Sequence, residues 1–381
     1  MSVSAPHYYR HSAWRLKSKI LPSSQKDGAA AAAQQLGSMS LGESAERKDN
    51  DETEPNTKNG TPTKKLCSAC GEKSDTVMKC RACKCVWYCD KECQNKHWKD
   101  HKKECKPIKK VLDKRGGKLN LGIEEDLGPL ATLPPQEECP ICMHVPPIHP
   151  TLQPYYPCCG KTICGGCEHH HRIQTEKLNA KRVQRKQPPL PRSCAFCRTA
   201  VPESKEEYLA RLRKRAELED PRALHNMGMN YGYGDFGLSV DQAKCIDLLR
   251  QAAHLGCPDA LYQLGTFNYH GRMGLRQDKK EGFKYWERAA EGGFVPSLHN
   301  LGGTEVNNRN IVAALRYWRL SASRGYRNSM EALIRYFELG FLRHADLAEV
   351  VQAMYCSRAE MKSEGRDQYI EHLKRIGKYD L

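Results

Sequence analysis

Sixteen of the chain's 19 cysteines fall between Cys67 and Cys197, most of them in C-x2-C or C-x3-C pairs. Thiolate sulfur is a soft ligand, and two cysteines so spaced can turn both sulfurs onto one cation, so the pattern points to closed tetrahedral zinc sites. Disulfides are the competing use of cysteine. No N-terminal stretch carries the charged, apolar and small-residue blocks of a secretion signal, and no apolar run approaches the roughly 20 residues that span a bilayer. The expectation is therefore an intracellular protein, in cytoplasm, nucleus or both, whose thiols stay reduced and open to metal.

The first cluster reads CSACGEKSDTVMKCRACKCVWYCDKECQNKHWKDHKKEC, from Cys67 to Cys105. Its ligand-like positions pair as Cys67 with Cys70, Cys80 with Cys83, Cys89 with Cys93, and His101 with Cys105. Eight such groups supply two tetrahedral sites. The His-x3-Cys spacing sets His101 and Cys105 one turn apart on a single helical face. So short a stretch buries too little apolar surface to fold alone, and metal must supply most of its stability. Cys85 and His97 stand outside the pairs and are expected on the surface.

This stretch resembles the MYND zinc finger, whose recurring end YCDKECQNKHWKDHKKEC it carries almost entire. The resemblance implies interleaved sites, Cys67, Cys70, Cys89 and Cys93 holding one zinc and Cys80, Cys83, His101 and Cys105 the other. It also implies binding of short proline-containing peptides from partner proteins, with Trp87, Gln94 and Trp98 facing the peptide and Tyr88 packed in the core. The SET methyltransferase motif that some MYND proteins carry is not found.

The second cluster runs from CPIC (Cys139, Cys142) through Cys158, Cys159, Cys164 and Cys167 to CAFCR (Cys194, Cys197). Eight cysteines again suffice for two sites, which favours both members of the adjacent pair Cys158 and Cys159 as ligands. Were one spare, a histidine from His144, His149 or His169 to His171 would have to replace it. Gly160 gives the backbone the freedom to bring two neighbouring side chains to one metal.

The layout resembles a RING finger of the minority type built on eight cysteines, with Lys161 where common members place a histidine. That resemblance implies one site of Cys139, Cys142, Cys164 and Cys167, and another of Cys158, Cys159, Cys194 and Cys197. It implies ubiquitin-protein ligase activity without a nucleophile of the chain's own, by holding a loaded conjugating enzyme in a reactive pose. Ile141, Ile163, Phe196 and Arg198 match the family's contact surface. Ala195 in place of a frequent proline, and His169 to His171 in place of a bulky apolar group, depart from the pattern. The alternative is a non-catalytic scaffold whose fingers only mediate assembly.

The remaining chain must carry these clusters. Of its 381 residues 39% are hydrophobic and 28% charged, and the formal net charge is +16. That excess suggests nucleic acid, but fifteen thiolates would remove fifteen charges and four zinc ions return eight, leaving about +9. The basic excess that survives lies on the first finger, and nucleic-acid binding is a weak reading. Residues 1–64, with Ala29 to Ala33 followed by Ser, Gly, Asn, Thr and Pro among charges, read as a disordered tail.

After the second cluster, Ser204 and Glu207 form a capping-box pattern at the start of a helix. Then ALHNMG from Ala223, ALYQLG from Ala260 and SLHNLG from Ser297 place Gly228, Gly265 and Gly302 at a constant interval of 37 residues. A second small-residue motif ending at Gly256, Gly293 and Gly325 shows the third repeat to be shorter by five residues, lost around 303–310. A fourth unit from Ser329 lacks the glycine and is expected to cap the array. The period resembles Sel-like repeats, relatives of the tetratricopeptide repeat, which implies stacked helix pairs, a scaffold acting through its concave face, and Leu249, Trp286 and Trp318 in the core. The RING-then-Sel order resembles a family of RING and Sel-repeat proteins from unicellular algae. GYGDFG at 232–237 matches a dinucleotide fingerprint but follows no strand, so a nucleotide site is rejected.

The expected architecture is multidomain: two small zinc-stabilised cross-brace domains followed by an all-α solenoid of Sel-like helix pairs, with a disordered N-terminal tail. Its parts are the tail (1–64), MYND-type finger (65–106), linker (107–136), RING-type finger (137–200), connecting helix (201–220), solenoid (221–365) and C-terminal tail (366–381). The expected partners are a ubiquitin-conjugating enzyme, proline-containing peptides and proteins held by the solenoid, with no membrane.

Overall fold

The computed structural model describes residues 65–74, 77–115, 133–148 and 152–377; the expected N-terminal tail lies outside the described residues. Three antiparallel hairpins of two-residue strands pair β1 (Lys65–Leu66) with β2 (Lys73–Ser74), β3 (Met78–Lys79) with β4 (Trp87–Tyr88), and β5 (Tyr155–Tyr156) with β6 (Lys161–Thr162). Such strands are too short to stand alone. Helix α1 (Lys91–Arg115) follows the first two hairpins and α2 (Gly165–Gln184) the third. Then come α3 (Lys205–Glu217), α4 (Pro221–Tyr233), α5 (Gln242–His254), α6 (Pro258–His270), α7 (Lys279–Glu291), α8 (Val295–Asn307), α9 (Ile311–Ser323), α10 (Arg327–Leu339), α11 (His344–Glu360) and α12 (Glu364–Arg375). Among the described residues, no helix is long and apolar enough to cross a membrane.

The seven helices α4 to α10 are each 13 residues long, and their ends are written in the sequence. Side chains of Asp220, Asp241, Asp278 and Asn310 accept from first-turn backbone N–H groups, and Pro221, Pro258 and Pro296 occupy first turns. At α3 one half of the capping box forms, Ser204 Oγ accepting from the Glu207 N–H at 3.1 Å, while the Glu207 carboxylate accepts from the Glu203 N–H, one residue before the cap, at 2.9 Å. The 37-residue glycines lie at helix crossings, where α4, α6 and α8 meet α5, α7 and α9. A Cβ on Gly265 would come within 2.5 Å of Trp286, and one on Gly302 within 2.5 Å of Trp318. Opposite Gly228 stands Leu249 instead of an indole, its Cγ at 3.4 Å, and the nearest atom is the Cys245 carbonyl oxygen at 3.1 Å. Leu249, Trp286 and Trp318 are buried as expected.

The third repeat's deletion is confined to its turn: residues 308–310 join α8 to α9, where 234–241 and 271–278 join the earlier pairs. In the fourth unit Ile334 replaces the repeat glycine, and its second helix, α11, lengthens to 17 residues. Gly232, first of the fingerprint-like GYGDFG, lies inside α4 against Cys245, which leaves no strand-to-helix phosphate turn there.

Three boundaries differ from expectation. Helix α1 continues beyond residue 106, through Pro107, to Arg115. The end of the expected linker is held on the repeats, Arg324 donating to the carbonyls of Leu133 and Pro134 at 3.2 and 3.1 Å, and so is the first residue of the expected second finger, Glu137, paired with Arg222 at 3.0 Å. Much of the expected C-terminal tail is α12, docked against α2. Its polar sequence reads as solvated because its burial comes from one distant surface.

The first finger and the end of the solenoid share a core. Val86, Ile108 and Val111 pack in one cluster with Met330, Leu333, Val350 and Met354. The second cluster touches both ends of the repeat array. Tyr155 donates to Asp220 at 2.7 Å and Arg215 to the Pro157 carbonyl at 3.2 Å, while α12 packs on α2.

One consequence is a pH dependence built into the repeats. His299 of α8 bonds Ser329 of α10 at 3.0 Å, and burial pushes its pKa down to about 4. The unfolded chain binds that proton near pH 6.5 and the folded chain does not, so stability falls as pH drops from 6.5 toward 4. His299→Gln is expected to recover about 1–2 kcal/mol of the loss between pH 7.5 and 5. Denaturant midpoints of both proteins at the two pH values measure it.

Candidate metal centres

Among the described residues, sixteen donor atoms gather into four groups, and within each group they all lie within 4.8 Å of one another. They are Cys67, Cys70, Cys89 and Cys93; Cys80, Cys83, His101 and Cys105; Cys139, Cys142, Cys164 and Cys167; and Cys158, Cys159, Cys194 and Cys197. The two pairs of groups interleave along the chain in the arrangement the MYND and RING resemblances imply. A tetrahedron with Zn–S bonds of about 2.3 Å sets its sulfurs about 3.8 Å apart. The sulfurs of Cys70 and Cys89 stand 3.7 Å apart, Cys142 and Cys164 3.8 Å, Cys80 and Cys105 3.9 Å, and Cys159 and Cys194 4.0 Å. These are far from disulfide lengths, and all 19 cysteines are free.

Local backbone geometry builds each group. In the first finger the C-x2-C turns close with Gly71 N–H on the Cys67 carbonyl and Lys84 N–H on that of Cys80, each at 2.9 Å. Helix α1 then carries Cys93, His101 and Cys105. In the second cluster the β5–β6 turn delivers Cys158 and Cys159 together. Both Cys159 N–H and Gly160 N–H donate to the Tyr156 carbonyl, and Gly160 takes φ 69°. Gly160 has a further duty: a Cβ there would lie 2.7 Å from the Asp220 carboxylate and 3.2 Å from the Arg215 guanidinium, so a side chain would have to displace both. Cys164 caps α2, its sulfur accepting from the Cys167 N–H at 3.4 Å.

The electrostatics of these groups fit a divalent cation. One thiol in each group ionises readily. Cys139 is held low chiefly by Cys164, Cys80 by Cys105, and Cys194, through Cys158, falls to about 5. Burial would raise Cys67, but the backbone N–H groups of Cys70, Ala69 and Cys89 bring it to about 7. Their neighbours resist: burial and the adjoining sulfurs push Cys89 up to about 12 and Cys159 to about 11. Four converging thiols cannot all ionise without a balancing cation. The lone cysteines of the repeats behave differently. Cys245 and Cys257 are buried thiols raised to about 12 by desolvation, in keeping with an inert role.

The expected contact residues divide. In the first finger Tyr88 is fully buried, as expected, and donates to or accepts from His97 at 3.1 Å. Trp98 is exposed, Gln94 is half-buried, and the Trp87 ring lies under Lys65 and Lys79 at 4.0 and 4.8 Å. In the second cluster Ile141 and Phe196 are 41% and 43% exposed, and a cleft lined by Ile141, His170, His171, Leu178, Ala195 and Arg198 opens beside them. Arg198 reaches His171 at 2.6 Å. Ile163 does not belong to this surface: it is fully buried against Tyr156 and the cysteines, because it follows β6 with its side chain turned into the domain. His169 is buried near Tyr369 and His372 of α12, so the histidine run serves two faces.

The expectation of surface positions for Cys85 and His97 is overturned: they are 2% and 4% exposed. Helix α11 covers them, with His344 Nε2 3.3 Å from the Cys85 sulfur and the Tyr355 ring edge-on to His97 at 4.2 Å. Gln352, also on α11, donates to the Leu66 carbonyl and accepts from Ser68 and the Trp87 N–H, so one amide clasps β1 and β4. Sequence reasoning missed His344, Gln352 and Tyr355, which lie some 250 residues from their partners in a segment with no metal-ligand spacing.

Comparison with known proteins bears on the first finger and the repeats. The MYND finger model matches residues 67–105, and the Sel1 repeat model matches 221–257, 258–294 and 298–326. The chain is 40% identical over 53 residues, 14% of its length, to the histone-lysine N-methyltransferase ASHR1 of Arabidopsis thaliana, and 41% identical over 44 residues, 12% of its length, to the histone-lysine N-methyltransferase SMYD3 of Homo sapiens. These matches span 11% and 10% of the relatives' own lengths. A Sel1 repeat protein from Oxalobacter formigenes aligns at 29% identity and a TM-score of 0.31, over 33% of this chain and 96% of that one. The chain thus carries a MYND finger and a run of Sel1 repeats, the combination of a zinc-binding protein-interaction adaptor.

Proposed function

We propose that this MYND-finger and Sel1-repeat protein is an adaptor whose second cysteine cluster is a RING-type ubiquitin-protein ligase domain. Each of the four donor groups holds one zinc, two in the MYND finger and two in the RING-type finger. Structural zinc there acts by fixing the loops, and the reaction itself uses no metal. A substrate lysine attacks the thioester carbonyl of a loaded conjugating enzyme, whose cysteine leaves as the thiol. The RING-type surface contributes orientation.

The observation that carries this reading is the apolar, solvent-facing pair Ile141 and Phe196 beside the cleft that Arg198 lines, on a domain whose cysteines form two interleaved groups. Exposed apolar side chains on so small a domain suit a docking partner. In this reading Arg198 exchanges its contact with His171 for one with the partner's ubiquitin. The MYND finger, through Trp98 and Gln94, and the repeats select the proteins to be modified, with proline-containing peptides the ligand class for the finger.

The test is autoubiquitination by zinc-loaded protein with a panel of conjugating enzymes, next to Ile141→Ala and a metal count by native mass spectrometry. Chain formation that falls at least about tenfold in Ile141→Ala, with four zincs in both proteins, is the expected result; truncating a central apolar anchor typically costs this much or more. Four zincs with no transfer by any enzyme would replace the ligase with a non-catalytic scaffold.

A further inference from the structure

Arg366, near the start of α12, is 2% exposed and carries a guanidinium spent on the second cysteine cluster. Its Nη2 lies 3.3 Å from the Cys142 sulfur and 3.1 Å from the His144 carbonyl, and its Nη1 donates to the carbonyls of Val145, at 2.6 Å, and Met361. Cys142 is one of four cysteines in the group with Cys139, Cys164 and Cys167. Helix α12 can come so near because α2 begins with two glycines. A Cβ on Gly166 would lie 2.7 Å from both Cγ and the backbone nitrogen of Arg366, and one on Gly165 would collide with the Tyr369 ring. The approach is therefore built from both sides, in the glycines of one helix and the arginine of another 200 residues later.

A zinc bound by four thiolates carries a net charge of −2, and in a buried setting that charge calls for donors around the sulfurs. A planar guanidinium can serve a sulfur and three carbonyls at once, which an ammonium cannot. We propose that Arg366 is a positioning residue of this metal centre: by donating to the Cys142 thiolate it makes retention of that metal and docking of α12 one cooperative event. The inference rests on the reading of this cysteine group as a zinc site.

The experiment uses the full zinc-loaded chain and follows cysteine alkylation, resolved by residue, during challenge with a chelator, together with hydrogen exchange of 364–375. In Arg366→Met, Cys139, Cys142, Cys164 and Cys167 are expected to become reactive about 10–100-fold faster than in wild type, the usual effect of losing a partner of a metal ligand. Cys158, Cys159, Cys194 and Cys197 should keep their rates, which also shows that the variant folds. Arg366→Lys should fall between the two. Should Arg366→Met fail to fold, Gly166→Ala, which displaces the arginine without removing it, is expected to give the same selective loss. Faster exchange of α12 with alkylation unchanged would overturn the proposal, leaving Arg366 an anchor of the helix alone. A wild-type chain with three zincs, its Cys139 group alkylated without chelator, would overturn the zinc reading and this inference together.

Discussion

Cys105→Ala is expected to loosen α10 and α11 along with the finger that contains the substitution. The Cys80, Cys83, His101 and Cys105 group is buried throughout, and three of its cysteines belong to the same core as Leu333, Val350 and Met354. Its neighbour Glu104 is 2% exposed, accepting from Tyr355 at 2.7 Å and facing Arg327 at 3.7 Å. Losing one ligand leaves two thiols and an imidazole in a dry site with no cation to balance them. Breaking a buried charged constellation costs about 3–5 kcal/mol. Here the cost cannot stop at residue 115, because the finger and the two helices bury each other. Hydrogen exchange in α10 and α11 should quicken by about two to three orders of magnitude, and native mass spectrometry should show one zinc fewer. Cys197→Ala, in the second cluster beside Cys158 and Thr199, should leave α10 and α11 at wild-type rates. Equal rates in Cys105→Ala would instead make the finger an independent module resting on the repeats.

What could be read along the chain was whatever has a local cause. Ligand pairs three or four residues apart, the 37-residue glycine interval and the Asp and Asn caps each act within a turn or one helix crossing, so their spacing survives in the sequence. The adjacent Cys158 and Cys159 are in that class too, since Gly160 and the Tyr156 carbonyl shape their turn locally. The joints between domains left no such trace. Cys85 and His97 look like surface residues because the finger alone would expose them, and only α11 covers them. Arg366 and α12 look solvated because a charged residue in a polar helix carries no apolar period, whatever it is docked against. Ile163 was misplaced for a subtler reason: family position named it, while the direction of the chain after β6 turns it inward. The polar groups that join distant segments are the part of this fold that neither periodicity nor motif spacing encodes.

The repeat core offers a prediction in which a substitution changes sign with its background. Trp318 fills the crossing of α8 and α9, its Nε1 donating to the His299 carbonyl at 3.1 Å and its ring 5.2 Å from that of Tyr336. Trp318→Ala should cost about 3–5 kcal/mol, the range for deleting a buried aromatic. Gly302→Ala would normally help a helix by about 1 kcal/mol. Here its Cβ would stand 2.5 Å from the indole nitrogen, and a rigid ring in a close-packed core cannot yield by a few tenths of an ångström. In wild type it should therefore destabilise by about 1–3 kcal/mol. In the Trp318→Ala background the obstruction is gone, and the same change should stabilise by about 1 kcal/mol through helix propensity and the volume it restores. Denaturant unfolding of the four proteins closes the cycle, and an interaction energy of about 2 kcal/mol or more is expected for so direct a contact. Gly228→Ala, which faces Leu249 rather than an indole, should cost less than Gly302→Ala. Additive effects at Gly302 and Trp318 would mean that the 37-residue glycine answers to backbone approach between the helices and not to the indole beside it.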